Sequence, residues 1–174
     1  MLRKSTLNVE GLKKFYRGKR VFITGGAGSI GSEIVRQLID LDVEKVFVYD
    51  NSEYLTFQLE QQLKERGVRG KCELIIGSIL HGNKLNALLS RIRPDIVFHA
   101  AAYKHVPLME DNVYEAVQNN VLGTFSVVNA AADHGVGRVT PDDVFQPRRA
   151  FLPRDSGGGD SELAARGGPR GGGG

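Results

Sequence analysis

Short apolar runs alternate with longer stretches of helical periodicity along most of the chain. The apolar run 21–23 leads into a glycine-rich stretch, and Ile30, Ile34 and Leu38 then recur four positions apart. Recurrence at this spacing places the three side chains on one face of a helix. The full pattern predicts strands at 20–24, 45–49, 72–76 and 95–99, and helices at 9–16, 29–41, 53–66, 83–92 and 113–134.

Strands that alternate with helices indicate an α/β protein with a parallel sheet and right-handed crossovers. We expect a Rossmann-type sheet of order 3-2-1-4 with helices on both faces. A fifth strand should start at Arg138 and Val139. However, Pro141 lacks a backbone donor, and Asp142 and Asp143 resist burial. We therefore expect strand five to end almost where it starts. Strand four, which is apolar, would then lie at the edge of the sheet. If the chain does not fold on its own, this exposed strand would promote aggregation.

The glycine-rich stretch carries the strongest functional signal. Gly25, Gly28 and Gly31 have the spacing G-x-x-G-x-x-G between a predicted strand and a predicted helix. Gly25 permits a tight turn, Gly28 lets the backbone approach a pyrophosphate, and Gly31 lets the helix lie close to the strand. The helix N-terminus adds free N–H groups and the positive end of a dipole. An ordinary glycine turn is the alternative, but the flanking elements favour dinucleotide binding.

An acidic residue, Asp50, ends the second predicted strand. A carboxylate at this point accepts hydrogen bonds from the adenosine ribose, and Asn51 and Ser52 can add contacts. Asp50 could instead, or as well, be the N-cap of the next helix. A carboxylate here would repel a 2′-phosphate, so the residue by itself favours NAD over NADP.

Strand four runs into three small residues, Ala100, Ala101 and Ala102, which suit close approach of a ribose and nicotinamide or simply tight packing. On the last predicted helix, mostly apolar residues recur on one side and indicate the face that packs against the sheet. These residues are Val113, Val117, Val121, Thr124, Val128 and Ala131. Asn120 lies beside this stripe, where a buried amide needs hydrogen-bond partners. It would tie strand four to strand five or support the cofactor site, unless it is turned to solvent.

Composition and charge exclude several classes of protein. The net charge of +3 is small and scattered, which argues against a nucleic-acid partner. Cys72 is the single cysteine, so the chain has no internal disulfide, and the histidines show no metal-ligand spacing. No apolar stretch is long enough to span a bilayer and no signal peptide is visible, so we expect a cytoplasmic protein without a metal site.

The composition changes abruptly after Val139. Residues 140–174 contain nine of the 22 glycines, four of the six prolines and five arginines but no lysine. This composition predicts a disordered tail, and its residue types suggest GC-rich codons read out of frame. We therefore divide the chain into an extension at 1–18, a partial NAD(P)-binding domain at 19–139, and a tail at 140–174.

Four segments together carry a family resemblance: TGGAGSIGSEIVRQL, VYDNSE, DIVFHAAAYKHVPLMEDN and NNVLGT. Over about residues 10–139 the chain resembles the extended short-chain dehydrogenase/reductases. Within them it is similar to the UDP-N-acetylglucosamine 4,6-dehydratases of bacterial polysaccharide biosynthesis. The segment AAYKHVPLME is the most specific of these matches.

The resemblance implies a reaction, a cofactor and a set of contacts. Bound NADP would oxidise C4 of a UDP-sugar, water would leave across C5 and C6, and the hydride would return to C6. The positions matching the family's cofactor contacts are Gly25, Gly28, Ser29, Ile30, Gly31, Asp50, Asn51, Ser52, Ala100, Ala101 and Ala102. Lys104 and His105 match a loop near the active site. The resemblance favours NADP, whereas Asp50 by itself favours NAD; we expect NADP on the resemblance and keep NAD open. A homo-oligomer is also implied.

Two departures from the family pattern limit this interpretation. Ser78 follows Gly77 where the family usually has an aspartate near the adenine. A Ser-Thr-Asp-Lys-like segment, and a Tyr or Met followed four residues later by Lys, are absent from the sequence. We therefore assign no catalytic residues and expect no dehydration by the chain as written. The alternatives are a non-catalytic NAD(P)-binding module and a part of another nucleotide-sugar epimerase or dehydratase.

Overall fold

The computed structural model describes residues 9–141, so the predictions for residues 1–8 and for the tail at 142–174 lie outside the described residues. The strands are Arg20–Thr24 (β1), Lys45–Asp50 (β2), Cys72–Ile76 (β3), Ile96–His99 (β4) and Arg138–Pro141 (β5). The α-helices are Val9–Tyr16 (α1), Ser29–Asp40 (α2), Glu53–Glu65 (α3), Gly82–Ile92 (α4), Val106–Asp111 (α5), Val113–Val117 (α6) and Thr124–Asp133 (α7). A 3-10 helix spans Arg69–Lys71, and a π-helical turn, Gln118–Gly123, joins α6 to α7.

The strands form one parallel sheet of order β3-β2-β1-β4-β5. Alternate side chains along each strand enter two separate cores. Ile23 and Val48 pack with α1, α2 and α3 on one face, while Phe22 and Tyr49 pack with α4 and α7 on the other. Burial on both faces explains why the strands are continuous apolar runs. The predicted Rossmann-type α/β fold is confirmed.

The prediction that strand five aborts is wrong for residues 138–141. β5 pairs in parallel with β4, from Arg138 beside Ile96 to Pro141 beside His99. In the part of the chain that the structure describes, β5 is an outer strand, and proline is tolerated there because one side of the strand needs no ladder donor. β4 therefore has a partner on each side and is not the sheet edge.

The predicted packing face of the last helix is also wrong. Val113, Val117, Val121 and Val128 are 60%, 47%, 57% and 43% exposed. The residues that face the core are instead Asn119, Gly123, Val127, Ala130 and Ala131, of which only Ala131 belongs to the predicted stripe. The helical segment lies so close to the loop between β3 and α4 that a Cβ on Gly123 would be 2.8 Å from Cγ1 of Ile79. Close packing selects small residues for the inner face.

A buried histidine links the centre of the sheet to α7. Nδ1 of His99 lies 2.6 Å from Oγ1 of Thr24, and its Nε2 lies 2.8 Å from Oγ1 of Thr124. The Thr124 hydroxyl donates to the carbonyl of Asn120 at 2.7 Å. The hydrogen-bond network therefore assigns the proton to Nε2, which donates to Thr124, while Nδ1 accepts from Thr24. Burial lowers the pKa of His99 and keeps the ring neutral.

Backbone-to-backbone contact fixes the turn between β1 and α2. A Cβ on Gly31 would overlap the carbonyl oxygen of Gly25 and lie 2.6 Å from Cα of Gly26. Gly25 has φ +66°, and a Cβ there would lie 2.7 Å from Cα of Ala101. The turn is thus wedged between the first turn of α2 and the end of β4, with no space for side chains at Gly25 or Gly31.

We expect His99 to make stability depend on pH. Because burial lowers its pKa in the folded state, the unfolded chain binds the proton more readily. The contribution of His99 to the free energy of unfolding should be complete above about pH 6.5 and decrease as the pH falls below that value. Urea unfolding, followed by circular dichroism at several pH values, should show that the free energy of unfolding decreases below about pH 6.5. The variant His99→Gln should lose this pH dependence, whereas His81→Gln, at an exposed histidine, should retain it. The same pH dependence in both variants would show that His99 is not its source.

The variant Gly31→Ala should be strongly destabilised, because its Cβ would collide with backbone atoms that cannot move aside. We expect a loss on the order of 3 kcal/mol in the free energy of unfolding, measured by urea titration. Gly70→Ala is the matched control, since a Cβ there meets no atom within 4 Å. Equal stability of the two variants would show that the turn is looser than described.

Candidate cofactor site

The carboxyl ends of β1, β2 and β4 meet at one edge of the sheet, where two adjoining cavities lie. The first has a volume of about 220 Å³, and the second has a volume of about 120 Å³. Gly28, Ala100 and Ala102 line both. Of the predicted site residues, Gly25, Asp50, Asn51, Ser52 and Ala101 also line the first cavity, and Ser29, Ile30, Gly31 and Lys104 also line the second. The structure thus brings together most of the predicted residues.

Asp50 connects the end of β2 to the glycine turn. It is 6% exposed, and its two carboxylate oxygens accept from the backbone N–H of Ala27 at 3.0 Å and of Ser52 at 2.9 Å. Each oxygen keeps a further lone pair, so the carboxylate can still accept a hydroxyl at the cavity. Asp50 is not the N-cap of α3; that position belongs to Ser52, whose hydroxyl accepts from the N–H of Leu55 at 3.2 Å.

The N-terminus of α2 opens into the second cavity. Gly28 is the N-cap in an extended conformation, and the cap has no side-chain hydrogen bond. The first turn contains no acidic residue, so no carboxylate of that turn competes for the free N–H groups. Free donors and the positive end of the helix dipole together suit a phosphate group.

Two consecutive asparagines hold the loop that follows β4. The Asn120 side chain accepts from the Tyr103 N–H at 2.7 Å and donates to the Tyr103 carbonyl at 2.9 Å. The Asn119 amide donates to the Ala101 carbonyl at 2.7 Å. Asn120 lines neither cavity and bonds to the loop rather than to β5, so it positions the cavity wall. Both residues lie in the π-helical turn, a feature often found at functional sites.

Sequence reasoning missed Asn119, which is buried and lines the first cavity. The available signal was the Asn-Asn doublet itself. In a regular α-helix neighbouring residues point about 100° apart, so the pattern allowed only one of the two to face inward. The wider π-helical turn lets both asparagines reach the same loop.

The two residues of the predicted substrate loop are placed differently. Lys104 lines the second cavity next to Gly28 and Ser29, and among the described residues no other Lys or Arg lines either cavity. His105 is exposed, precedes α5 as its N-cap without a side-chain bond, and lines neither cavity. The structure brings Lys104 to the candidate site and leaves His105 outside it.

The segment after β3 forms the far wall of the first cavity. The Tyr49 hydroxyl donates to the carbonyl of Ser78 at 2.9 Å, and a Cβ on Gly77 would lie 2.5 Å from the Tyr49 ring. Burial raises the pKa of Tyr49, which keeps its hydroxyl a donor. Ser78 lines the cavity where the family pattern has an aspartate, and its hydroxyl accepts from the N–H of Leu80 at 3.2 Å.

A larger cavity, of about 650 Å³, lies at the opposite edge of the sheet. Its lining includes Phe15, Arg93 and His134, which lie at the C-terminal ends of α1, α4 and α7. Lys19 and Arg138 line it as well, but none of its lining residues belongs to the first turn of a helix. The free N–H groups of a helix N-terminus, which suit a pyrophosphate, lie instead at the glycine-turn edge.

Residues 9–141 contain no group of three or more His, Cys, Asp or Glu side chains arranged to hold a metal ion. In the same range, none of the helices has the length and apolar character needed to cross a membrane.

Comparison with known proteins gives several relatives that the chain matches in part. The chain is 35% identical to the capsular polysaccharide biosynthesis protein CapD of Staphylococcus aureus, over 74% of this chain and 22% of CapD. It is 30% identical to a UDP-N-acetylglucosamine 4,6-dehydratase (inverting) of Campylobacter jejuni, over 70% of this chain and 35% of that enzyme. The structure of the Bordetella bronchiseptica enzyme WbmH in complex with NAD+ matches with a TM-score of 0.55 and 31% identity, over 70% of this chain and 37% of WbmH.

The chain therefore spans between 22% and 37% of the length of these proteins. The resemblance to nucleotide-sugar dehydratases drawn from the sequence is confirmed at the level of the family. Residues 21–141 match the family described as polysaccharide biosynthesis protein, and since that match covers well over half of the chain, the chain belongs to this family.

Proposed function

We propose that this chain provides the dinucleotide-binding part of a nucleotide-sugar 4,6-dehydratase of polysaccharide biosynthesis. The observation that carries the proposal concerns Asp50, which lines the cavity and whose carboxylate accepts from the N–H of Ala27 in the glycine turn. This arrangement places an acceptor for ribose hydroxyls beside a helix N-terminus that suits phosphate. The family match and the dehydratase relative support the reaction class.

Each part of the cavity edge suits one part of the cofactor. Asp50, Asn51 and Ser52 would hold the adenosine ribose, and Ser78 would face the adenine. Gly28, Ser29 and the N-terminus of α2 would hold the pyrophosphate, with the Lys104 ammonium nearby. Ala100 and Ala102 leave space for the nicotinamide half. When bound, the cofactor supplies a hydride acceptor for C4 of a UDP-sugar and the hydride donor for C6.

We further propose that the cofactor is NAD rather than the NADP implied by family resemblance. Asp50 is nearly buried and held by two N–H groups, so it cannot swing away from a 2′-phosphate. No Lys or Arg among the described residues lines the cavity that contains Asp50. A dianionic phosphate next to an uncompensated carboxylate is disfavoured electrostatically. The NAD-bound WbmH structure supports the same choice.

The first prediction of this proposal concerns cofactor choice. The chain should bind NADH more tightly than NADPH by at least about tenfold, since a difference of about 1.4 kcal/mol is enough for that ratio. Titration calorimetry and the fluorescence of the bound dihydronicotinamide both measure it. The variant Asn51→Arg introduces a cation next to Asp50 and leaves the two hydrogen bonds of the Asp50 carboxylate unchanged. It should reduce the preference for NADH over NADPH severalfold.

Gln58→Arg, which adds the same charge at an exposed position of α3, is the matched control and should leave the ratio unchanged. Binding of neither nucleotide by folded protein would overturn the proposed function itself. Tighter binding of NADPH would overturn only the choice of cofactor.

The second prediction concerns Lys104. Lys104→Gln should weaken the binding of NADH and NADPH by a similar factor, about three- to tenfold, because the pyrophosphate is common to both. The wild-type affinity should also fall more steeply with added salt than that of the variant. Lys84→Gln, at an exposed lysine that lines neither cavity, provides the comparison. A change in the NADH to NADPH ratio would place Lys104 at the ribose instead.

A further inference from the structure

The cavity of about 650 Å³ at the amino ends of the strands lies outside the candidate cofactor site. Its volume is within the range of about 300–1,000 Å³ that is usual for sites of small molecules. Its lining includes Lys19 and Arg138, at the starts of β1 and β5, and Arg93, at the end of α4. Phe15 and Ile96 add apolar surface. We call this space the basic cavity.

Two arginines of the basic cavity differ from the others in the part of the chain that the structure describes. Residues 9–141 contain eight arginines, and six of them form an ion pair with a carboxylate. Within that range the remaining two, Arg93 and Arg138, form none, and both line this cavity. Asp95 lines it too, but its carboxylate is already paired with the Lys19 ammonium at 3.0 Å and accepts from the Arg20 N–H at 2.8 Å. The cavity therefore contains two unpaired guanidinium charges.

The backbone of Arg93 adopts a conformation that is unfavourable for an arginine. As the C-cap of α4 it has φ +47° and ψ +62°, in the left-handed region that favours glycine. Asp42 is the other non-glycine residue with positive φ among the described residues, and aspartate adopts this region more readily than arginine does. Strained residues of this kind concentrate at binding sites. The conformational cost at Arg93 therefore indicates that its side chain has a role at the cavity.

A cation at a helix C-terminus can also serve only to offset the partial negative charge of the last carbonyls. At the end of α4, however, the N–H of Arg93 itself donates to the Leu89 carbonyl at 2.8 Å, and at the end of α7 the N–H of Val136 donates to the Ala131 carbonyl at 3.0 Å. These carbonyls do not need a guanidinium donor. The Arg138 guanidinium lies 5.3 Å from the centre of the Phe15 ring, a contact that does not use its N–H groups.

We propose that the basic cavity binds a phosphate group through Arg93 and Arg138, either as the free ion or as a monoester of a small organic molecule. The planar fork of a guanidinium group donates pairs of parallel hydrogen bonds to phosphate oxygens. A phosphate with nearly two negative charges also offsets the two unpaired positive charges. Recognition here uses side chains, whereas the glycine-turn edge offers backbone N–H groups. The proposal is therefore independent of dinucleotide binding.

Heteronuclear NMR of the isotope-labelled full chain, titrated with inorganic phosphate, tests the site. The amide signals of Gly135 and Gly137, which line the basic cavity, should shift and saturate. Arg93→Gly and Arg138→Gln should each raise the half-saturating concentration at least about fivefold, because each removes a charge-assisted pair of hydrogen bonds. The signal of Gly28 reports phosphate at the glycine turn separately and should respond alike in the wild type and both variants.

Arg91→Gln is the matched control. It removes the same charge from α4, but Arg91 is paired with Glu73 and does not line the basic cavity. This variant should bind phosphate as the wild type does. A loss of affinity equal to that of Arg138→Gln would show that only the net charge of the chain matters, and would overturn the proposal.

Urea unfolding of Arg93→Gly separates binding from a structural role. The exchange relieves backbone strain and removes a charge from the end of α4, two opposing effects, so the urea midpoint should not fall. A lower midpoint with unchanged phosphate binding would make Arg93 purely structural and overturn the proposal, as would unshifted signals of Gly135 and Gly137 in the wild type.

Glucose 1-phosphate distinguishes the two sources of the phosphate group, with free glucose as the control that should shift neither signal. Binding at least as tight as that of inorganic phosphate would identify a monoester as the ligand. Binding of inorganic phosphate alone would identify the free ion.

Discussion

The structure depends on backbone contact at one point, where the glycine turn meets the first turn of α2 and the end of β4. Gly31 lies against Gly25, and Gly25 lies against the backbone at Ala100 and Ala101. Three elements can meet this closely only if no side chain separates them. The consequence is a cavity edge made largely of backbone, whose N–H groups at the start of α2 are available to an anion.

Polar residues around this point hold the edge in place without crowding it. Asp50 fixes the turn from the side of β2 through Ala27. His99 fixes β1 to α7 through Thr24 and Thr124, and Thr124 in turn bonds to the carbonyl of Asn120. Because these groups are buried and satisfied by hydrogen bonds, loss of one would leave its partner unpaired in the interior. These hydrogen bonds fix the positions of the residues around the cavity relative to β1, β2 and α7.

The sequence predicted well those features that depend on local pattern. The alternation of strands with helices indicated a parallel Rossmann-type sheet, and the order of its first four strands is as predicted. The predicted packing face of the last helix was wrong because the prediction placed the larger apolar side chains, the valines, in the core. Around Gly123 the helix packs so closely that its inner face consists of small residues, and the valines lie on the opposite side. Strand five was expected to start at Arg138 and Val139 but not to continue through Pro141. Proline is tolerated there because β5 is an outer strand among the described residues, and that position depends on tertiary context.

The candidate site was predictable to the same extent. The glycines and Asp50 are evident from their spacing. The contact of Asn119 depends on a π-helical turn, and the Asn-Asn doublet that marks it does not by itself distinguish that turn from a regular α-helix. From that turn, Asn119 and Asn120 hold the loop at Ala101 and Tyr103. Part of the cavity wall therefore depends on hydrogen bonds between residues 17 and 18 positions apart, which a pattern of neighbouring residues does not reveal.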